Sequence, residues 1–191
     1  FSYLFVWQGW SESNALLVER GGAWLLILSI AGVFFRRLWP LLLAAAAWLV
    51  VSLVAKVSDY EWHPWMLPGA HGIRYLLPVA LALLALGCRE ATAIFLVRLG
   101  ISLTFLFHGL EAIWLKPEFV DFILIGADVT TGAVLDQSTA ESILLTIGVV
   151  DVLVAVALWL PKAQRSIALW MAFWGATTAF ARMVCGGWPK Y

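Results

Sequence analysis

The sequence predicts an all-α fold, a polytopic transmembrane helical bundle of about six spans with two long outer loops. Three observations lead there. Of the 191 residues, 63% are hydrophobic, with a mean hydropathy of +0.92, well above the usage of soluble domains. The apolar residues come in long runs, and a helix needs about 20 of them to cross about 30 Å of hydrocarbon. The 12 basic and 12 acidic residues fall mostly at the ends of those runs. The formal net charge is zero, which leaves no electrostatic footprint for nucleic acid.

The runs follow in order. The first, 15–35, carries Glu19 and Arg20 near its start, and the second, 38–55, ends at Lys56. The third, 75–88, is shorter and is stopped by Arg89 and Glu90; Pro78 then falls in its first turn, where proline is tolerated. The fourth, 91–115, ends at Lys116 and Pro117. Pro161 and Lys162 stop the fifth, 142–160, and Gly186 and Gly187 stop the sixth, 166–184. On this reading no span holds a proline deep inside. No internal repeat is legible, so 1–191 reads as a single transmembrane domain. Cys88 and Cys185 lie far apart and outside any CxxC motif, which argues against a redox dithiol or zinc ribbon. The opening at Phe1 without Met, and without a signal-peptide n-region or cleavage site, is expected of a processed or partial chain.

The connections set an orientation. The short turns Arg36-Arg37, Arg89-Glu90 and 161–165 hold five basic residues and one acid. The long loops 56–74 and 116–141 are mainly acidic, through Asp59, Glu61, Glu118, Asp121, Asp128, Asp136 and Glu141. The positive-inside rule then puts the short turns in the cytoplasm, with both termini and both long loops outside. In a bacterium this means the cytoplasmic (inner) membrane, with both termini in the periplasm. Trp62, Trp65, Trp114 and Trp188 would form an outer belt, and Trp39 and Trp159 an inner one. The loop 56–74, rich in Trp, Pro and His, is expected to pack as a cap on the membrane. The stretch 119–125 reads as a short interfacial helix.

Ionisable residues inside the runs are the candidates for chemistry, because placing them in lipid costs several kcal/mol. They are Arg98, His108, Glu111, Asp151 and Arg182. His108 and Glu111 stand at i, i+3 and share a helix face. Under this topology His63 and His71 lie on the same outer side. Three readings stay open. In one, His108 and Glu111 bond neighbouring helices; in another, they form a quinone or other small-molecule pocket with Phe105, Phe107 and Trp114 as its apolar wall and His63 or His71 approaching from the loop; in the third, they belong to a metal or haem site, for which no two histidines at matched depth are visible. Arg98 and Asp151 differ in expected depth by only a few Å at about 1.5 Å per residue. They are expected to form a buried ion pair. Arg182 is expected to snorkel, or to pair with Glu111.

The fourth span carries Arg98-Leu99-Gly100, then Phe105-Leu106-Phe107-His108-Gly109-Leu110, then Lys116-Pro117-Glu118-Phe119. In these residues the chain resembles the DoxX/DoxD-like integral membrane family over about 91–187, where an Arg-Leu-Gly start and a Phe-x-x-His-Gly end precede a basic residue. The motif sits in the fourth helix, and 1–88 has no counterpart in that family. The resemblance implies a redox-associated membrane protein, since members accompany quinone-linked sulfur oxidation and membrane oxidoreductase assemblies.

The resulting expectation is an integral membrane accessory subunit of a larger respiratory or quinone-linked complex. It would pack against partner subunits in the lipid bilayer and shape a quinone or lipid pocket near the outer face. Quinone is the cofactor candidate, and no metal is assigned. The alternatives are a quinone-linked oxidoreductase subunit in which His108 and Glu111 handle protons, and a small transporter using Arg98 and Asp151. The absence of a midplane proline weighs against the transporter.

Overall fold

The computed structural model describes residues 3–60 and 62–186. Glu61, Gly187 and Trp188, read above as a loop acid, a helix stop and a belt residue, lie outside these residues. Eight α-helices make up the described chain: α1 Glu12–Phe34, α2 Trp39–Asp59, α3 Leu67–Ala70, α4 Gly72–Ala85, α5 Glu90–Ile113, α6 Pro117–Thr131, α7 Gln137–Ala157 and α8 Gln164–Gly186. Among the described residues six helical stretches are long and apolar enough to cross a membrane, so the protein is a multi-pass, all-α membrane bundle. They correspond one to one with the six runs of the sequence. The contacts divide into two compact units, Phe1–Thr104 and Phe105–Tyr191, and the division falls within α5.

In the first unit α1 and α4 both pack against α2. Small residues permit the close approach that apolar packing in lipid relies on. A Cβ on Gly22 would collide with the Trp48 indole, and one on Gly32 would lie 2.9 Å from the Leu38 carbonyl oxygen. The Arg36 guanidinium donates to the Ala85 carbonyl at the end of α4. A cation there suits the negative end of the helix dipole, and it brings the two basic turns of this unit to one end.

The third span differs from its expected form. Its apolar run begins at Pro64, not at residue 75, and reaches Ala85. His63 enters it in the left-handed conformation with φ 46°. Pro64 then starts a 3-10 turn, Pro64–Met66, followed by α3. Prolines are compatible with first helical turns because no backbone donor is lost there. Met66, Leu67, Gly69 and Ala70 are buried, so most of the expected cap 56–74 is span. The chain breaks at His71 (φ −108°, ψ 11°) before α4 begins. The break orphans the first N–H groups of α4, and Thr104 Oγ1 of α5 accepts that of Ile73 at 3.1 Å. At this crossing a Cβ on Gly100 would come within 3.0 Å of the Ile73 Cα. Pro78 consequently sits inside a helix, not in a first turn, and the ground on which a midplane proline was denied is removed.

In the second unit α6 packs on both α7 and α8. It is the helix expected around 119–125, extended to 15 residues. Ala112, Val120, Ala140 and Leu144 form its core, flanked by Phe119, Ile123 and Leu124. The Cys185 thiol reaches the Phe122 carbonyl at 3.4 Å. Asp136 caps α7 by accepting from Ser138 Oγ at 2.6 Å and from Thr139 N–H at 2.9 Å. These bonds, the Ser138 hydroxyl first, hold its carboxyl down at about 2. A depressed folded-state pKa stabilises the cap above the ordinary carboxylate range and loses that contribution as pH falls toward about 2. Protection of the Thr139 amide relative to its intrinsic exchange rate should therefore fall in that acidic window, and in Asp136→Ala it should already be lost at neutral pH.

Candidate functional site

Buried ionisable side chains mark the site. Among the described residues Glu111, Lys116 and Asp151 are buried, and all three belong to the second unit. Glu111 is fully buried on the last turn of α5. Its carboxylate binds on both sides: Oε2 lies 2.8 Å from His108 Nδ1, and Oε1 accepts from Lys116 Nζ at 2.8 Å. The i, i+3 spacing of His108 and Glu111 thus becomes a direct contact. Lys116, read in the sequence as a helix stop, is the partner that the sequence reading missed. Arg182, weighed as a partner of Glu111, is exposed instead.

The chain reaches Lys116 by an unusual corner. Lys116 N–H bonds the Glu111 carbonyl and Leu115 N–H bonds the Ala112 carbonyl, each at 3.0 Å. This is the paired 6→1 and 5→2 closure of a Schellman motif. The same closure ends α4, where Gly87 takes the left-handed position at φ 81° and Cys88 bonds Leu83. At the α5 corner that position is held by Leu115, at φ 53°. A branched side chain costs about 1–2 kcal/mol there, and the turn delivers Lys116 back onto Glu111. Leu115→Gly is expected to raise stability by about 1 kcal/mol and Leu115→Val to lower it; thermal unfolding in detergent reads both.

An aromatic side chain completes the cluster. Lys116 Nζ lies 4.8 Å from the Phe119 ring centroid, within cation–π range. The His108 ring centroid is 5.9 Å from the same ring, and Phe122 stacks beyond it at 6.4 Å. Phe119 is thus an aromatic neighbour of His108 in this unit, beside the Phe105, Phe107 and Trp114 expected from the sequence. Phe105 and Phe107 are half-buried on α5, and Trp114 is exposed. Phe119 belongs to the Lys116-Pro117-Glu118-Phe119 stretch that carried the family resemblance.

With Glu111 ionised, neutral His108 donates through Nδ1, so Nε2 is its basic nitrogen. The ring is 25% exposed while the carboxylate beneath it is buried. Such a carboxylate fixes the orientation and tautomer of the imidazole, the arrangement in which a histidine can serve as a general acid or base.

The remaining candidates are distributed as follows. His63 and His71 belong to the first unit, at the entry and the break of the third span; the His63 ring meets the Trp62 indole edge-on at 4.6 Å. Arg98 lies on the part of α5 in the first unit. Asp151 lies on α7 in the second unit, where it takes a hydrogen bond from Trp174 of α8. Within either unit, no three His, Cys, Asp or Glu side chains among the described residues are grouped so as to hold a metal ion. Comparison with known proteins gave no matching family, no curated relative and no similar solved structure.

Proposed function

We propose that this protein is an accessory subunit of a larger quinone-linked membrane complex. In this reading it sits in a bacterial cytoplasmic membrane with its basic turns inside and both termini outside. His108 is the group that exchanges protons with a quinone headgroup. The observation that carries the reading is the Glu111 carboxylate, fully buried and held by Lys116 on one side and His108 on the other. A purely structural carboxylate–ammonium pair needs no imidazole. Setting one on the second oxygen and leaving it partly exposed suits a proton-transfer partner for a redox headgroup whose reduction takes up protons. The resemblance of 98–119 to the DoxX/DoxD-like family points the same way. The large apolar side chains on the outward faces of the spans, such as Phe34, Val51, Leu153 and Phe173, suit lipid and partner helices alike.

The test is purification in a gentle detergent, followed by identification of the proteins and quinones that travel with the chain. Stoichiometric partner subunits together with bound quinone are expected. A monodisperse protein free of both would overturn the reading.

A small transporter is the second reading, and the third span favours it. Its break at His71 and its internal Pro78 are features of interrupted transport helices. Solute flux in vesicles holding the purified protein alone distinguishes the two, since an accessory subunit supports none.

A further inference from the structure

Asp151 stands apart from the Glu111 cluster and is 7% exposed in the middle of α7. One of its oxygens takes the indole N–H of Trp174, a neutral donor. The other, Oδ1, has no hydrogen-bond partner among the described residues. An ionised carboxylate in a span, held by one neutral donor, forgoes most of its solvation with no cation in return. Such a group takes up a proton instead.

The packed elements carry no lysine or arginine at the level of Asp151, and His108, which is level with it, is held by Glu111. On α5, a Cβ on Gly109 would touch Gly148 and Val152, and one on Gly148 would touch Ile113. The two helices are therefore antiparallel, with Asp151 level with His108; Glu111, one turn on, is engaged by Lys116. On α8, Arg165 and Arg182 are displaced from Trp174 by about 12–14 Å of helical rise. The ionisable groups of α6 are the acids Glu118, Asp121 and Asp128, and α6 packs near Ala140 and Leu144, at the start of α7.

We propose that Asp151 is a proton-binding site within the fifth span, carried as a neutral carboxylic acid whose carbonyl oxygen accepts from Trp174. It sets a second proton carrier at the level of His108 on the facing helix. The site requires neither quinone nor partner subunit, so its test is independent of the function proposed above.

The experiment uses the whole chain in lipid vesicles at neutral pH, with Asp151→Asn as the variant; asparagine keeps a carbonyl oxygen for Trp174. Infrared spectroscopy reads the carbonyl band of a protonated carboxyl. Dicyclohexylcarbodiimide is the covalent probe, because it enters apolar regions and reacts with protonated acids. The acid proton moves to one carbodiimide nitrogen while the carboxyl oxygen bonds the central carbon, giving an O-acylisourea. The acyl group then migrates to the other nitrogen: its C–O bond breaks, a C–N bond forms, and nothing leaves. The expected result is a protonated-carboxyl band in the wild type that Asp151→Asn removes, and a one-carbodiimide adduct on the Asp151 peptide that the variant lacks. No such band in the wild type, as an ionised Asp151 paired with Arg98 requires, or an adduct unchanged in the variant, would overturn the proposal.

Discussion

Replacing Glu111 with alanine is expected to destabilise the second unit by on the order of 3–5 kcal/mol, the penalty for leaving a buried charge without its partner. Lys116 is itself buried and has Glu111 as its carboxylate partner at 2.8 Å. Its side chain is only 11% exposed, so the ammonium is largely withdrawn from water. Single replacement of Lys116 by methionine removes the ammonium but leaves the carboxylate His108 Nδ1 at 2.8 Å, so it should cost less than Glu111→Ala. Replacing both, Glu111→Leu with Lys116→Met, removes the two charges together and should cost much less than the sum of the singles, because buried ion pairs exchange for apolar packing at little net loss. Denaturant titration in mixed micelles measures all three. Equal, additive losses would mean that the two charges do not sense each other.

The second large effect is expected where α5 and α7 cross. A Cβ on Gly109 would lie 2.8 Å from the Gly148 carbonyl oxygen and 3.0 Å from the Val152 nitrogen. A Cβ on Gly148 would lie 2.7 Å from the Gly109 carbonyl oxygen and 2.9 Å from the Ile113 nitrogen. These are backbone atoms, which cannot turn aside like the end of a side chain. Gly109→Ala or Gly148→Ala must push the helices apart at about 1–3 kcal/mol each, and leucine at either position should prevent the second unit from forming. Gly175 of α8 is the control, since nothing within 4 Å meets its added Cβ. Gly175→Ala should gain a few tenths of a kcal/mol up to about 1 from helix propensity. The comparison is read as thermal unfolding of the solubilised protein.

The six spans were legible because length and hydropathy are properties of a run of residues and need no tertiary information. His108 and Glu111 were legible for a similar reason: the i, i+3 spacing is local. Lys116 was not, because its contact depends on Leu115 adopting a left-handed backbone, and leucine gives no sign of that. Had Gly stood there, as Gly87 does at the end of α4, the corner would have been readable. The third span was read too short because Pro64, Pro68 and His71 look like loop residues. They enter the helical run at first turns and at a break, where prolines and an irregular residue are tolerated. Trp174 was missed as the donor to Asp151 because span-by-span depth ranks residues by height and says nothing of which helices adjoin.

The most direct test of the account is quinone titration of the protein in lipid nanodiscs, wild type against His108→Ala, with complex stoichiometry and monodispersity followed in parallel. Loss of one hydrogen-bonding, proton-exchanging group should weaken quinone binding by about tenfold while assembly stays intact, since Glu111 retains Lys116. Unchanged quinone affinity, or assembly lost before binding, would contradict it and leave His108 a structural partner of Glu111.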